Sequence, residues 1–344
     1  MVGAVGQTVL DFYMYPPVGE DDWRYAFQTA QVRALETRML SVATLRDMAN
    51  AEDFEQAADL LASSDYALPH GGRNFAEIEN TLQTRRSAVR MLFEDLMIDK
   101  SAVELFKSRN DFANLRLALR RVLTEKPIGA DYSSDGNVSP EVLEQVLGEE
   151  NYGLFPDYMT EAAEQAVLAY YENKDIRRID YAIDRLQAEY NLRKAHQLES
   201  LFLIGLFRIQ IDLANIRTML RLKFTESEYR DVFLKGGFIE LGRLERAVDA
   251  GYESQGQLFF SLPYHRLVET GSGYLASDES FLKLEKQCEN YLTGFLKTTA
   301  QVTAGPQPVI AYLLMKEIEI RNVRLILTAK KNSLDIKLVL DRIS

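Results

Sequence analysis

Three short stretches of the chain set an acid, a carboxamide and a guanidinium at fixed spacing inside otherwise apolar segments. They are Asp111-Phe-Ala-Asn114-Leu-Arg116, Asp212-Leu-Ala-Asn215-Ile-Arg217 and Glu319-Ile-Arg-Asn322-Val-Arg324. Such a set could begin an active site, supply one third of a ligand site built from three copies, or form a polar clamp inside the protein. On an α-helix, positions i and i+3 are neighbours, whereas i and i+5 lie about 140° apart. Each acid therefore shares a face with its Asn, and each Arg points elsewhere. The acid can accept from the amide and orient it, leaving the amide to satisfy backbone groups of an adjoining segment. Burying such a pair without partners costs on the order of 1–3 kcal/mol per group. Internal partners are therefore expected, and the clamp is the favoured of the three readings. The last copy adds Glu317 and Arg321 at i and i+4, with Arg324 and Thr328 extending a narrow charged stripe. A stripe of that kind on an apolar helix predicts a contact with another helix of the same chain.

Other candidates for chemistry fail on spacing. His70, His196 and His265 are isolated, and none stands three residues after a Glu or at helical metal spacing from another His. There is no phosphate-cradling glycine loop and no nucleophile elbow. Asp21-Asp22 before Trp23 resembles the magnesium-binding acids of α-helical synthases, but it lacks a third spaced acid and a second cluster, so a loop or N-cap is expected. Cys288 in Leu284-Glu-Lys-Gln-Cys288 has no neighbouring His and is expected as a small core residue. No catalytic residue, metal or cofactor is therefore expected.

The elements that position these residues are helices. Segments rich in Leu, Ala, Glu, Arg and Gln repeat their apolar residues three and four apart, as at Ala163, Ala166, Ala169 and Tyr170, with no sustained alternation of period two. The fold class is all-α. Proline and glycine cluster at 15–23, 69–72, 126–140, 235–238, 269–273 and 304–308, which are expected loops. Ser139-Pro140 reads as an N-cap with proline at the first helical position, Ser277-Asp-Glu-Ser280 as another helix start, and Pro308 as the opening of a last long helix to Lys330.

The chain has 344 residues, a net charge of -11 and a single cysteine. An acidic surface repels phosphate, which argues against nucleic acid and against a purely electrostatic hold on anionic lipid. The basic pairs Arg177-Arg178 and Lys330-Lys331 are expected at solvated helix ends. One cysteine excludes an internal disulfide and fits a reducing cytoplasm. The longest uncharged run, Thr298 to Met315, carries Gln, Gly and prolines and does not read as a membrane span.

Repetition organises the whole chain. The signature Asn residues fall at 114, 215 and 322, that is 101 and then 107 apart. Gly136-Asn-Val-Ser-Pro-Glu-Val-Leu143 and Gly237-Phe-Ile-Glu-Leu-Gly-Arg-Leu244 keep the 101-residue step, and short helices then run to Tyr152 and Tyr252, with an earlier relative ending at Tyr66. Counting back from Tyr66 reaches Gln31-Val32-Arg33, a degenerate N-terminal relative. The expected organisation is an N-terminal extension over 1–24 and three similar helical modules over 25–125, 126–225 and 226–344, arranged with pseudo-threefold symmetry.

The ordered series "QTAQVRALETRML", "DFANLRLALRR", "IDLANIRTMLRLKF", "KGGFIEL" and "AYLLMKEIEIRNVRLILTAKKN" resembles the C subunits of V-type/A-type ATPases, relatives of the eukaryotic d subunit, from about Tyr25 to the C-terminus. It departs from that family in its first 24 residues and in carrying Gln31 where relatives often have Arg. The resemblance implies a funnel of three helical modules and a non-catalytic central-stalk rotor subunit. It implies the D and F shaft subunits and the proteolipid rotor ring as partners. It implies one copy per complex, a monomer in isolation, and a place on the cytoplasmic face of the membrane held through protein contacts. The torque it would pass serves coupled proton or sodium transport, and the acidic surface is expected to meet basic loops of a partner. A helical scaffold unrelated to rotary motors is the alternative, and a magnesium-dependent synthase comes third.

Overall fold

The computed structural model describes residues 15–68, 75–124, 132–149, 151–227 and 229–343. His70 and the whole of the expected loop at 69–72 lie outside them, as do residues 1–14 of the N-terminal extension and 126–131 of the expected loop at 126–140. Among the described residues every regular element is helical. The order is α1 (Ala26–Glu36), α2 (Val42–Asn50), α3 (Phe54–Asp59), α4 (Phe75–Leu96), α5 (Lys100–Thr124), α6 (Pro140–Gly148), α7 (Asp157–Asn173) and α8 (Arg177–Gln197). Then come α9 (Leu201–Phe224), α10 (Leu241–Asp249), α11 (Tyr252–Leu258), α12 (His265–Asp278), α13 (Leu282–Lys297), α14 (Pro306–Lys331) and α15 (Ile336–Ile343). None of the helices in the described residues is long and apolar enough to cross a membrane.

The chain divides into two compact units. The first joins residues 1–98 to 247–344 and the second spans 99–246. In the second unit α5 packs on α6, α7 and α8, α7 on α8, and α8 on α9. Phe112, Tyr158 and Tyr190 stack at its heart, with ring centroids 4.5 to 5.9 Å apart, and the periodic Ile179, Ala182, Ile183 and Leu186 are buried on α8. α9 buries residues on every side, which is why its sequence is apolar all round. Each large side chain so buried contributes about 1.5–3 kcal/mol.

In the first unit α14 is the hub, packed against α1, α2, α3, α4, α13 and α15. Its Ile320, Val323, Ile326 and Leu327 face Met48, Ala57, Leu61 and Leu82 in one core. The described part of the N-terminal extension is fastened to the same unit. Asp22 N donates to Ala304 O at 2.7 Å, Gln307 Nε2 donates to Val18 O and Glu20 O, and the Tyr15 ring lies edge-on to Tyr291.

Local signals were followed where capping chemistry decides and overridden where packing does. Ser139 caps α6 by accepting from Val142 N, with Pro140 at the first helical position. Asp22 caps the short turn at 23–25, and Cys288 is buried in α13. The expected loop at 269–273 is instead the middle of α12, where Gly271 and Ser272 are buried. α12 is pressed between α11 and α13, and small residues permit that approach. The expected helix start at 277–280 is a junction, with Glu279 in the left-handed conformation (φ 52°) closing α12. The last long helix opens at Pro306, before Pro308.

A repeated polar clamp as the candidate functional site

The three signature helices are α5, α9 and α14, and all three acids and all three amides are buried. In the first copy Asn114 makes a two-point bond to one residue of the following loop. Its Nδ2 donates to Ser133 O at 2.8 Å, and Ser133 N donates to its Oδ1 at 2.9 Å. Asn215 does the same with Leu234, at 2.8 Å in both directions. Both partners lie nineteen residues downstream. A carboxamide offers one donor and one acceptor side by side, which matches the N–H and C=O of a single extended residue.

The acids fasten the same loops a few residues further on. Asp111 Oδ1 accepts from Val138 N at 3.0 Å, while its Oδ2 takes Asn137 Nδ2 at 2.9 Å and Tyr158 OH at 2.6 Å. Asp212 accepts from Ile239 N and Phe238 N, both at 3.0 Å. The expected acid-to-amide bond gives way to these backbone contacts. A buried carboxylate takes several N–H bonds, and a segment about to enter a helix has N–H groups without helical partners. The loop must run hard against the acid to donate to it. A Cβ on Gly136 would stand 2.2 Å from Asp111 Oδ1, and one on Gly237 would stand 2.1 Å from Asp212 Oδ1. That contact explains why the two glycines keep the repeat spacing. Gly237→Ala is expected to destabilise the protein by about 2–3 kcal/mol, seen as a lower midpoint in urea unfolding, because the pinned carboxylate has to shift. A change below about 0.5 kcal/mol would show the loop to be free to yield.

The third copy is completed by the beginning of the chain. Glu319 Oε2 accepts from Leu40 N at 2.7 Å, and Glu319 Oε1 takes Tyr66 OH at 2.6 Å and Lys316 Nζ at 2.7 Å. Leu40 immediately precedes Ser41, the N-cap of α2, just as Val138 precedes Ser139, the N-cap of α6. The acid therefore holds the residue before the N-cap of a nine-residue helix in both places, although Leu40 lies 279 residues upstream of Glu319. Tyr66 is thus the partner of the last signature helix. In the first copy the tyrosine on the acid is Tyr158, and Tyr152 begins a separate 3-10 turn. Burial and the neighbouring carboxylate push both phenols well above the usual tyrosine value.

Asn322 departs from its siblings. Its Nδ2 donates to Glu289 Oε1 on α13 at 2.9 Å, and its Oδ1 has no hydrogen-bond partner among the described residues. Burial raises the Glu289 carboxyl, but the bonds from Asn322 and from the Arg342 and Arg321 guanidiniums outweigh it, so its pKa falls below the ordinary 4.5. A depressed carboxylate stabilises the fold above its unfolded pKa and loses that contribution as pH falls through the folded value. Unfolding titrations at about pH 7 and about pH 3 are therefore expected to differ less in Glu289→Gln than in the parent, with the loss confined to pH below about 4.5. Equal pH dependence of the two would overturn this.

The signature arginines tie neighbouring helices together. Arg116 pairs with Asp184 and Asp180 on α8, joined there by Arg120. Arg324 meets Glu79 on α4 at 3.1 Å, and Glu317 of the same stripe takes Arg90 of α4 at 2.7 Å. Arg217 is half-buried on α9. The buried acids and amides thus act on backbone and side chains of neighbouring segments, and Arg116 and Arg324 on facing helices. Sequence reasoning did not find Asn137, Tyr158, Lys316 or Glu289. The aligned run at 136–143 held the signal for Asn137, and Lys316 stands one turn before Glu319 on the same face. No group of acids, histidines or cysteines among the described residues is arranged to hold a metal ion.

A family model described as ATP synthase (C/AC39) subunit matches residues 28–340. The C subunit of the V-type sodium ATPase of Enterococcus hirae is 24% identical over 317 residues, covering 90% of this chain and 95% of the relative. The C subunit of the V-type ATP synthase of Thermus thermophilus is 25% identical over 316 residues, covering 89% and 94%. The C subunit of the A-type ATP synthase of Methanococcoides burtonii is 24% identical over 217 residues, covering 60% and 59%.

Proposed function

This chain belongs to the ATP synthase (C/AC39) subunit family, and on that premise we propose that it is a central-stalk rotor subunit of a V/A-type rotary ATPase. In this role it has no catalytic site of its own. It links the D and F shaft subunits to the membrane proteolipid ring, rides on the cytoplasmic face through protein contacts, and passes torque between ATP chemistry and proton or sodium movement. Its three modules, near 25–125, 126–225 and 226–344, surround a pseudo-threefold axis.

The observation that carries this reading is the match of 28–340 to the family, together with relatives covered almost end to end. The geometry supports it. Polar residues that could have served chemistry are committed to clamping loops onto helices, which stiffens a part that must resist shear. The net charge of -11 supports docking against basic partner surfaces.

Gentle detergent extraction of the native membranes tests it. The chain is expected to co-purify with an ATPase shaft and ring at one copy per complex, and to come away as ionic strength rises. Recovery only as a free protein, with an intact ATPase lacking it, would overturn the reading.

A further inference from the structure

The first unit holds a group of cations that neither the clamp nor the core explains. Glu289 is buried on α13 and accepts from Asn322 Nδ2, from Arg321 at 2.8 Å and from Arg342 at 3.1 Å. Lys286, one turn earlier on α13, reaches 3.9 Å from Glu289 Oε1. Arg46 on α2 lies close enough to act on the Lys286 ammonium. Three cations from α13, α14 and α15 thus gather round one carboxylate, and Arg46 of α2 adds to the positive field at Lys286, in a chain whose net charge is -11. The next acid along α15, Asp341, is already engaged by Lys283 and Tyr274.

These donors are not exhausted. Arg342 Nη1 is buried and has no hydrogen-bond partner among the described residues. Lys286 meets Glu289 only at the outer limit of ion pairing, and Glu289 already accepts from three other donors. Arg46 is exposed on α2. Burial holds the Lys286 ammonium below the usual lysine value, with Glu289 pulling it up and Arg342 and Arg46 pushing it further down. Another carboxylate would relieve that repulsion.

We propose that this cationic cluster docks a protruding acidic segment of a partner protein, with an Asp or Glu side chain received by Arg46 and Lys286. Charge complementarity selects this occupant. A guanidinium edge matches the two oxygens of one carboxylate. A local excess of positive charge suits one or two such groups, whereas an extended polyanion such as a lipid surface or nucleic acid would also meet the repulsion of the acidic chain around them. The site is independent of which complex the chain serves.

The test uses the full chain and a fluorescent oligo-glutamate peptide, followed by anisotropy at low salt, with oligo-glutamine as control. Saturable binding of the glutamate peptide is expected, weakened at least about tenfold in Arg46→Glu and in Lys286→Glu. Arg46→Gln removes only an exposed charge, so it is expected to keep the parental melting temperature and still weaken binding. Inorganic phosphate and phosphatidylserine vesicles should show no dependence on these residues. Equal binding by parent and all three variants would overturn the proposal, as would vesicle binding that depends on Arg46 and Lys286 more strongly than peptide binding does.

Discussion

Glu319→Leu should lower stability by about 3–5 kcal/mol, the largest effect expected of any single signature residue. The side chain it removes accepts three hydrogen bonds, from Leu40 N, Tyr66 OH and Lys316 Nζ. Lys316 is only 2% exposed, and its other acid, Asp65, is 3.6 Å away and 48% exposed. Deleting the glutamate thus strands a buried ammonium, which costs far more than the net worth of an intact pair. The companion variant Lys316→Met with Glu319→Leu removes both charges and should recover most of the loss, a coupling that only direct contact produces. Amide exchange adds a readout that global destabilisation does not mimic. Protection should fall first over residues 40–66, because Glu319 holds both ends of that segment. A loss below about 1 kcal/mol, or a double variant no better than the single, would refute the clamp.

Asp212→Leu should come next, at about 3–4 kcal/mol. The cost arises because Phe238 N and Ile239 N each lose an acceptor at a site where Asp212 is fully buried. Asp212→Asn is the discriminating partner, since it keeps one oxygen facing the loop and turns an NH2 toward the other donor. It should lose about half as much. Chemical unfolding at neutral pH ranks the two. Equal values for Asn and Leu would mean that the carboxylate fills space and holds nothing.

The comparison of the copies shows how far a local pattern carries. Spacing alone placed Asp111 beside Asn114 and Arg116 on another face, because helix geometry is set within a turn. The common step of Gly136 and Gly237 was legible too, since a glycine pressed against a buried carboxylate leaves the same mark in both copies. What lay beyond reach was the identity of the partners. Asn114 and Asn215 reach forward nineteen residues and Asp111 and Asp212 reach twenty-seven, distances with no helical meaning.

The amino-acid sequence by itself determined that the protein is helical, that one polar signature recurs three times on long helices, and which family those segments mark. These are properties of periodicity and order, which chain-local sterics and hydrophobic patterning express directly. Only the tertiary structure decided that α12 runs unbroken through Gly271, that Glu289 takes the amide of Asn322, and that the last signature helix is closed by Leu40 and Tyr66 from the start of the chain. A buried carboxylate bonds to whatever donor packing brings within about 3 Å, and packing is indifferent to how many residues of chain lie between.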